Sequence, residues 1–182
     1  MEIDPKLRYT TDQFVRLEDC DDYELIDGRP EPLSNGARSS RVAVRLGSLL
    51  LSSERSGRGL VFGSSGYCCF PNRPDLVRRP SLSFIAGTRM SKDVIPDVDP
   101  IRIAPDVVVR IVTTADKYES IELSMRDWRD AGTRLIWVIS PETKSVLIRR
   151  LDGTCSEYFE ADELSGEDVI PGFTCKVAEL FI

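Results

Sequence analysis

The sequence predicts a mixed α/β domain: a central β-sheet flanked by helices and preceded by an N-terminal β-hairpin. Three observations predict it. Two segments carry apolar residues at helical spacing, several short extended runs lie between Gly, Pro and Asn breaks, and an Asp27-Gly28 turn ends an extended stretch near the N-terminus. With 182 residues, 41% of them hydrophobic and 30% charged, the chain has the size of one ordinary domain. Residues 1–182 are accordingly read as a single unit around one core.

The elements follow in order. Thr10 or Thr11 caps a short helix that begins Thr11-Asp12-Gln13-Phe14. Tyr23-Glu24-Leu25-Ile26 then forms a strand that turns back at Asp27-Gly28. From Ser39 or Ser40 to about Arg55, Val42, Leu46, Leu49 and Leu50 recur at helical spacing until the chain breaks at Ser56-Gly57. Strands of the central sheet are expected at Leu60 to Phe62, Tyr67 to Phe70, Pro80 to Ile85 and Asp106 to Val112. A second helix lies between Asp116 and Gly132, with Tyr118, Ile121, Met125 and Trp128 on its inner face. Arg134 to Ile139 and Ser145 to Arg150 are strands about the Ser140-Pro141-Glu142-Thr143 turn, and a loosely alternating tail starts at Cys155. Trp128 and Trp137 fit core positions rather than base stacking.

Composition excludes several chemistries. No histidine occurs, which removes Ser-His and Cys-His nucleophiles and the commonest zinc ligand. Any metal would sit on oxygens, as Mg²⁺ or Mn²⁺ does. The five cysteines, Cys20, Cys68, Cys69, Cys155 and Cys175, are odd in number and lack CxxC spacing, so they read as mostly buried thiols. The formal net charge of −6 repels nucleic acid, and DNA contact would need a local basic patch, for which Arg73, Arg78, Arg79 and Arg89 offer a modest one. No apolar run approaches the ~20 residues that span a bilayer, so a cytoplasmic protein with no membrane partner is expected.

One residue stands out. Arg110 interrupts the apolar run Val107-Val108-Val109-Arg110-Ile111-Val112, and an unpaired buried cation costs several kcal/mol. It must meet a carboxylate or line a polar cavity. Strand alternation puts Asp106, Val108, Arg110 and Val112 on one face and Val107, Val109 and Ile111 on the other.

Four segments in this order resemble a known family: Tyr23-Glu24-Leu25-Ile26-Asp27-Gly28, Val77-Arg78-Arg79-Pro80-Ser81-Leu82-Ser83-Phe84-Ile85, Ala104-Pro105-Asp106-Val107-Val108-Val109-Arg110-Ile111-Val112, and Ala131-Gly132-Thr133-Arg134-Leu135-Ile136-Trp137-Val138-Ile139. They are similar to the Uma-type restriction endonucleases from about Tyr9 to Ile182. The resemblance implies the PD-(D/E)XK nuclease fold, a restriction-endonuclease-like mixed sheet with flanking helices, a divalent-metal site for phosphodiester hydrolysis, and a homodimer.

The departures from that pattern are as informative as the matches. Ser81 stands where the resemblance implies an aspartate, Arg110 where it implies a glutamate, and Ser124 where it implies a lysine; only Glu24 stays in place. A serine cannot supply the missing charge, and an arginine at a ligand position repels a divalent cation. The expected reading is therefore a catalytically inactive nuclease-fold protein with no cofactor, in which Arg110 occupies the lost metal's place and pairs with Glu24. It would bind a partner, a nucleic acid or a second copy of itself.

Two other readings compete. An active Mg²⁺- or Mn²⁺-dependent endonuclease would need relocated ligands, Asp106 and Glu24 with Lys117 as the catalytic lysine. A small-anion module would use Arg110 without a phosphate loop. Several residues also have plain structural readings. Glu24 taken alone is a strand carboxylate and Lys117 a solvated helix start. Ser81 is a strand hydrogen-bonder, and Asp75 in Asn72-Arg73-Pro74-Asp75 is a turn residue. Arg78 and Arg79 either contact phosphates or decorate an exposed hairpin end.

Overall fold

The structure is a computed structural model that describes residues 3–34, 36–97 and 100–182. Its N-terminal helix α1 (Thr11–Phe14) carries a capping box, in which Thr10 accepts from the Gln13 N–H and the Gln13 side chain accepts from the Thr10 N–H. β1 (Tyr23–Ile26) and β2 (Arg29–Pro32) form the expected hairpin. Asp27 and Gly28 both take positive φ, 51° and 77°, which is the mirror-image turn whose twist suits two-residue hairpin loops.

A six-stranded sheet forms the centre, in the spatial order β3 (Gly59–Phe62), β4 (Leu82–Ala86), β5 (Val107–Ile111), β6 (Leu135–Ser140), β7 (Ser145–Arg150), β8 (Cys155–Tyr158). β5 and β6 run parallel and every other neighbouring pair is antiparallel. The parallel pair needs a crossover, and α3 (Tyr118–Asp130) supplies it. β9 (Glu163–Ser165) and β10 (Thr174–Lys176) make a small hairpin, and a 3₁₀ turn at Val177–Leu180 closes the chain.

Both sheet faces are covered. α2 (Ala37–Arg55) and the C-terminal segment bury one face, where Leu46, Leu50, Val107, Val109, Trp137, Phe173 and Leu180 pack together. α3 and the loop before β4 bury the other, with Tyr67, Phe70, Val108, Met125, Trp128 and Ile136. Trp128 receives Tyr67 edge-on at 5.5 Å between ring centroids, and Trp137 stacks on Phe173, so both tryptophans are core residues as expected. A third cluster of Tyr9, Phe14, Leu17, Leu25 and Val77 fastens the N-terminal hairpin to the body.

Two expectations are corrected. Tyr67 to Phe70 is not a sheet strand: Tyr67 makes only isolated bridges, to Arg78 and Ile101. Prolines 71, 74 and 80 lack the N–H donors a continuous ladder would use, and the segment instead anchors through the Tyr67 ring and its 2.6 Å hydroxyl contact with Ser83. Tyr118, expected on the inner face of its helix, opens α3 at the solvent with 73% exposure. Cys175 is buried, Cys20, Cys68 and Cys69 are half-buried, and Cys155 is exposed.

Candidate functional site

Sheet register brings Ser81 and Arg110 side by side. Leu82 pairs with Val109. Ser81, one residue earlier, donates its N–H to Val109 O at 2.9 Å and accepts the Ile111 N–H on its Oγ at 3.0 Å. It therefore brackets Arg110, with its hydroxyl spent on extending the ladder.

Arg110 leaves β5 on the α3 side and enters a cleft of about 380 Å³ whose lining includes Glu24, Arg110, Asp116, Lys117, Ser120 and Ser124. A second hollow of about 650 Å³ opens toward α2, lined by Ser40, Val44, Gly47, Ser81 and Arg110 among others. Leu33, Ser34 and Arg110 border both, so the two form one trench between the N-terminal ends of α2 and α3. Four expected residues thus share one cleft: Glu24, Arg110, Lys117 and Ser124. Ser81 lines the second hollow instead.

The expected pairing of Arg110 with Glu24 is overturned. Arg110 Nη2 donates to Asp116 Oδ1 at 2.5 Å. The Asp116 side chain is only 5% exposed and also accepts the Thr113 N–H at 2.7 Å, so the turn after β5 folds its carboxylate back over the strand end. A local turn meets Arg110 before the distant hairpin can. Arg110 Nε is buried and has no acceptor among the described residues.

Glu24 is held by other residues. Its Oε2 accepts from Arg78 Nη1 at 2.9 Å and its Oε1 from the Arg79 N–H at 2.8 Å. Reciprocal hydrogen bonds between Leu25 and Val77, both 2.9 Å, clamp β1 to the loop that carries these arginines. Because strand neighbours point oppositely, burying Leu25 turns Glu24 toward the cleft. Arg78 also donates through Nε and Nη2 to Asp127 of α3, at 2.9 and 2.5 Å. The result is a buried Glu24–Arg78–Asp127 network tying hairpin, loop and helix. Burial opposes the Arg78 cation, but the two carboxylates outweigh it and hold its pKa above the usual arginine value.

Arg78 and Arg79 are therefore not an exposed hairpin end, and both guanidinium groups are committed to carboxylates. They are 3% and 6% exposed. Arg79 donates to Tyr23 O and pairs with Asp21 at 2.8 Å. Asp106 is also corrected as an alternative ligand: it sits at the opposite end of β5 from the trench, bound by the Ala86 N–H at 2.8 Å and Arg89 at 2.9 Å. Asp75 occupies a turn beside Arg73, as its plain reading had it.

The donor set does not fit a divalent cation. Arg78 neutralises Glu24, Arg110 neutralises Asp116, and among the described residues no three His, Cys, Asp or Glu side chains converge into a ligand group. Asp116 and Asp127, the partners that settle both arginines, carried no sequence signal, since each lies in a different element from the cation it meets.

A basic surface also escaped the sequence reading. No acidic residue occurs between Glu31 and Glu54, and this stretch contains most of α2 with the exposed Arg41 and Arg45. That charge gap was visible in the sequence. Together with Arg38, which pairs with Glu142 at 2.6 Å, they lie on a face of α2 apart from Ser40, Val44 and Gly47, which line the trench.

The fold matches a solved structure titled as a putative nuclease belonging to DUF820 from Anabaena variabilis, at TM-score 0.79 and 17% identity over 95% of this chain and 97% of that one. No curated protein matches. No helix among the described residues is long and apolar enough to cross a membrane. The Uma2 family profile, described as "Putative restriction endonuclease", matches residues 11–178, and the chain belongs to that family.

Proposed function

We propose that this chain is a nuclease-fold protein that binds a nucleic-acid backbone on the exposed basic face of α2 without hydrolysing it. One observation carries the loss of hydrolysis: Arg110, paired to Asp116, stands beside Ser81 in the sheet where a metal-dependent site needs two carboxylates. A guanidinium there repels a divalent ion and leaves no anionic pair to hold one. The acid-free α2 supports the binding half. Arg41 and Arg45 give a protein of net charge −6 the local cationic face that a phosphate backbone requires.

The test couples three measurements on one preparation. Calorimetric titration with Mn²⁺ is expected to show no saturable binding, and plasmid incubated with Mg²⁺ or Mn²⁺ stays uncut, as with Glu24→Ala. A gel-shift titration with duplex DNA in EDTA is expected to show binding that the Arg41→Glu/Arg45→Glu variant weakens for every sequence, lowering the salt slope by about one per lost phosphate contact. Cleavage that disappears in Glu24→Ala would overturn the loss of hydrolysis. DNA binding that is absent, or unchanged in the double variant, would overturn the α2 surface.

A further inference from the structure

A second site lies away from the trench, between the outer flank of α3 and the β7–β8 strands. Ile136, Arg149 and Cys155 are register partners across β6, β7 and β8 and form one row of the sheet face. α3 covers only one end of this row. The space left is a groove of about 470 Å³, within the ~300–1,000 Å³ typical of small-molecule sites.

Its chemistry is two-sided. Met125 and Ile136 make an apolar floor, and Leu123, 44% exposed, extends the apolar wall toward solvent. Four arginines border it: Arg126, Arg129, Arg149 and Arg150. Against them stand Glu119 and Glu122, leaving a cationic excess on an acidic protein.

The arginines differ in how far they are satisfied. Arg150 is taken by Glu167, and Arg149 gives its Nη1 and Nη2 to Glu122 at 3.1 and 2.5 Å. Arg149 Nε, however, is buried without an acceptor among the described residues. Arg126 and Arg129, one turn apart on α3, meet no carboxylate within ion-pair distance among the described residues, and both are exposed at the rim. Two uncommitted guanidinium groups and an orphaned buried donor therefore border an apolar floor.

We propose that this groove binds a small amphipathic anion: a flat apolar body on Met125 and Ile136, with a phosphate, sulfonate or carboxylate group held by Arg126 and Arg129. Guanidinium groups suit this task because they bind oxyanions in a bidentate fork and stack on flat rings. The apolar body supplies the affinity that two exposed arginines alone do not.

A matched pair of fluorescent probes tests it: 8-anilinonaphthalene-1-sulfonate, and N-phenyl-1-naphthylamine, which shares the ring system but lacks the sulfonate. The intact protein is expected to bind the sulfonate at least tenfold more tightly than the neutral probe. Arg126→Glu/Arg129→Glu, both at exposed positions, is expected to abolish that preference with an unchanged melting temperature, while Lys117→Ala in the trench leaves it intact. Equal affinity for the two probes, a preference that survives the double variant, or a preference lost in Lys117→Ala would each overturn the proposal.

Discussion

Replacing Glu24 by alanine probes the buried network most directly. The change removes the 2.9 Å ion pair to Arg78 and the 2.8 Å hydrogen bond from the Arg79 N–H. An orphaned buried N–H costs about 1–3 kcal/mol. Breaking a buried ion pair costs about 3–5 kcal/mol when the remaining charge is left alone. Arg78 keeps Asp127 and is not left alone, so the ion-pair loss falls below that range and the whole change costs about 3 kcal/mol. For a chain of this size that lowers the melting temperature by roughly 6–12 °C. The Arg78 side chain is 3% exposed and that of Glu24 11%, so solvent screens little of the effect. The assay is urea unfolding of Glu24→Ala, Arg78→Ala and Arg110→Ala with the two double variants. Glu24 and Arg78 should couple by about 1 kcal/mol or more, whereas Glu24 and Arg110 should add within about 0.5 kcal/mol because they share no hydrogen-bond partner. A loss below about 0.5 kcal/mol in Glu24→Ala, or a stronger coupling to Arg110 than to Arg78, would refute the network.

Two further predictions follow from the charge pattern and from the thiols. Ser81→Asp/Arg110→Glu puts two carboxylates side by side near Asp116, and calorimetry should then detect Mn²⁺ binding in the variant; a variant as inert as the parent would mean that side-chain charge at these two positions is not what excludes the ion. Burial raises the Cys69 and Cys175 thiols from 9.0 to about 12, so the fold favours their protonated forms; that stability is fully present below pH 9 and is lost as pH climbs toward 12. Cys69→Ala/Cys175→Ala should flatten the fall of melting temperature above pH 9, and an unchanged slope would assign the alkaline loss to other groups.

Much of the fold was legible because it rests on local rules. The Asp27-Gly28 turn, the Val42-Leu46-Leu50 stripe of α2, the Met125-Trp128 face of α3 and the Ser140-Pro141 turn all follow from backbone preference and apolar spacing. Tyr67 misled because an aromatic segment looks extended whether it pairs in a sheet or anchors a loop, and only the packing against Trp128 separates the two. Alternation along β5 likewise placed Arg110 on the face opposite Val109 and Ile111, which are buried against α2.

The sequence by itself determined the order of most elements and the family pattern, and it singled out Arg110 as a charge inside an apolar strand. Tertiary structure alone decided where each charge ends. Arg110 meets Asp116 because the Thr113–Asp116 turn folds a carboxylate onto the strand end, and Glu24 meets Arg78 because the Leu25–Val77 clamp carries the hairpin to that loop. Strand periodicity fixes the direction of a side chain, but the partner of a buried charge depends on which loop arrives there: for Arg110 the turn six residues on, for Glu24 a loop 54 residues away that only long-range contacts bring close.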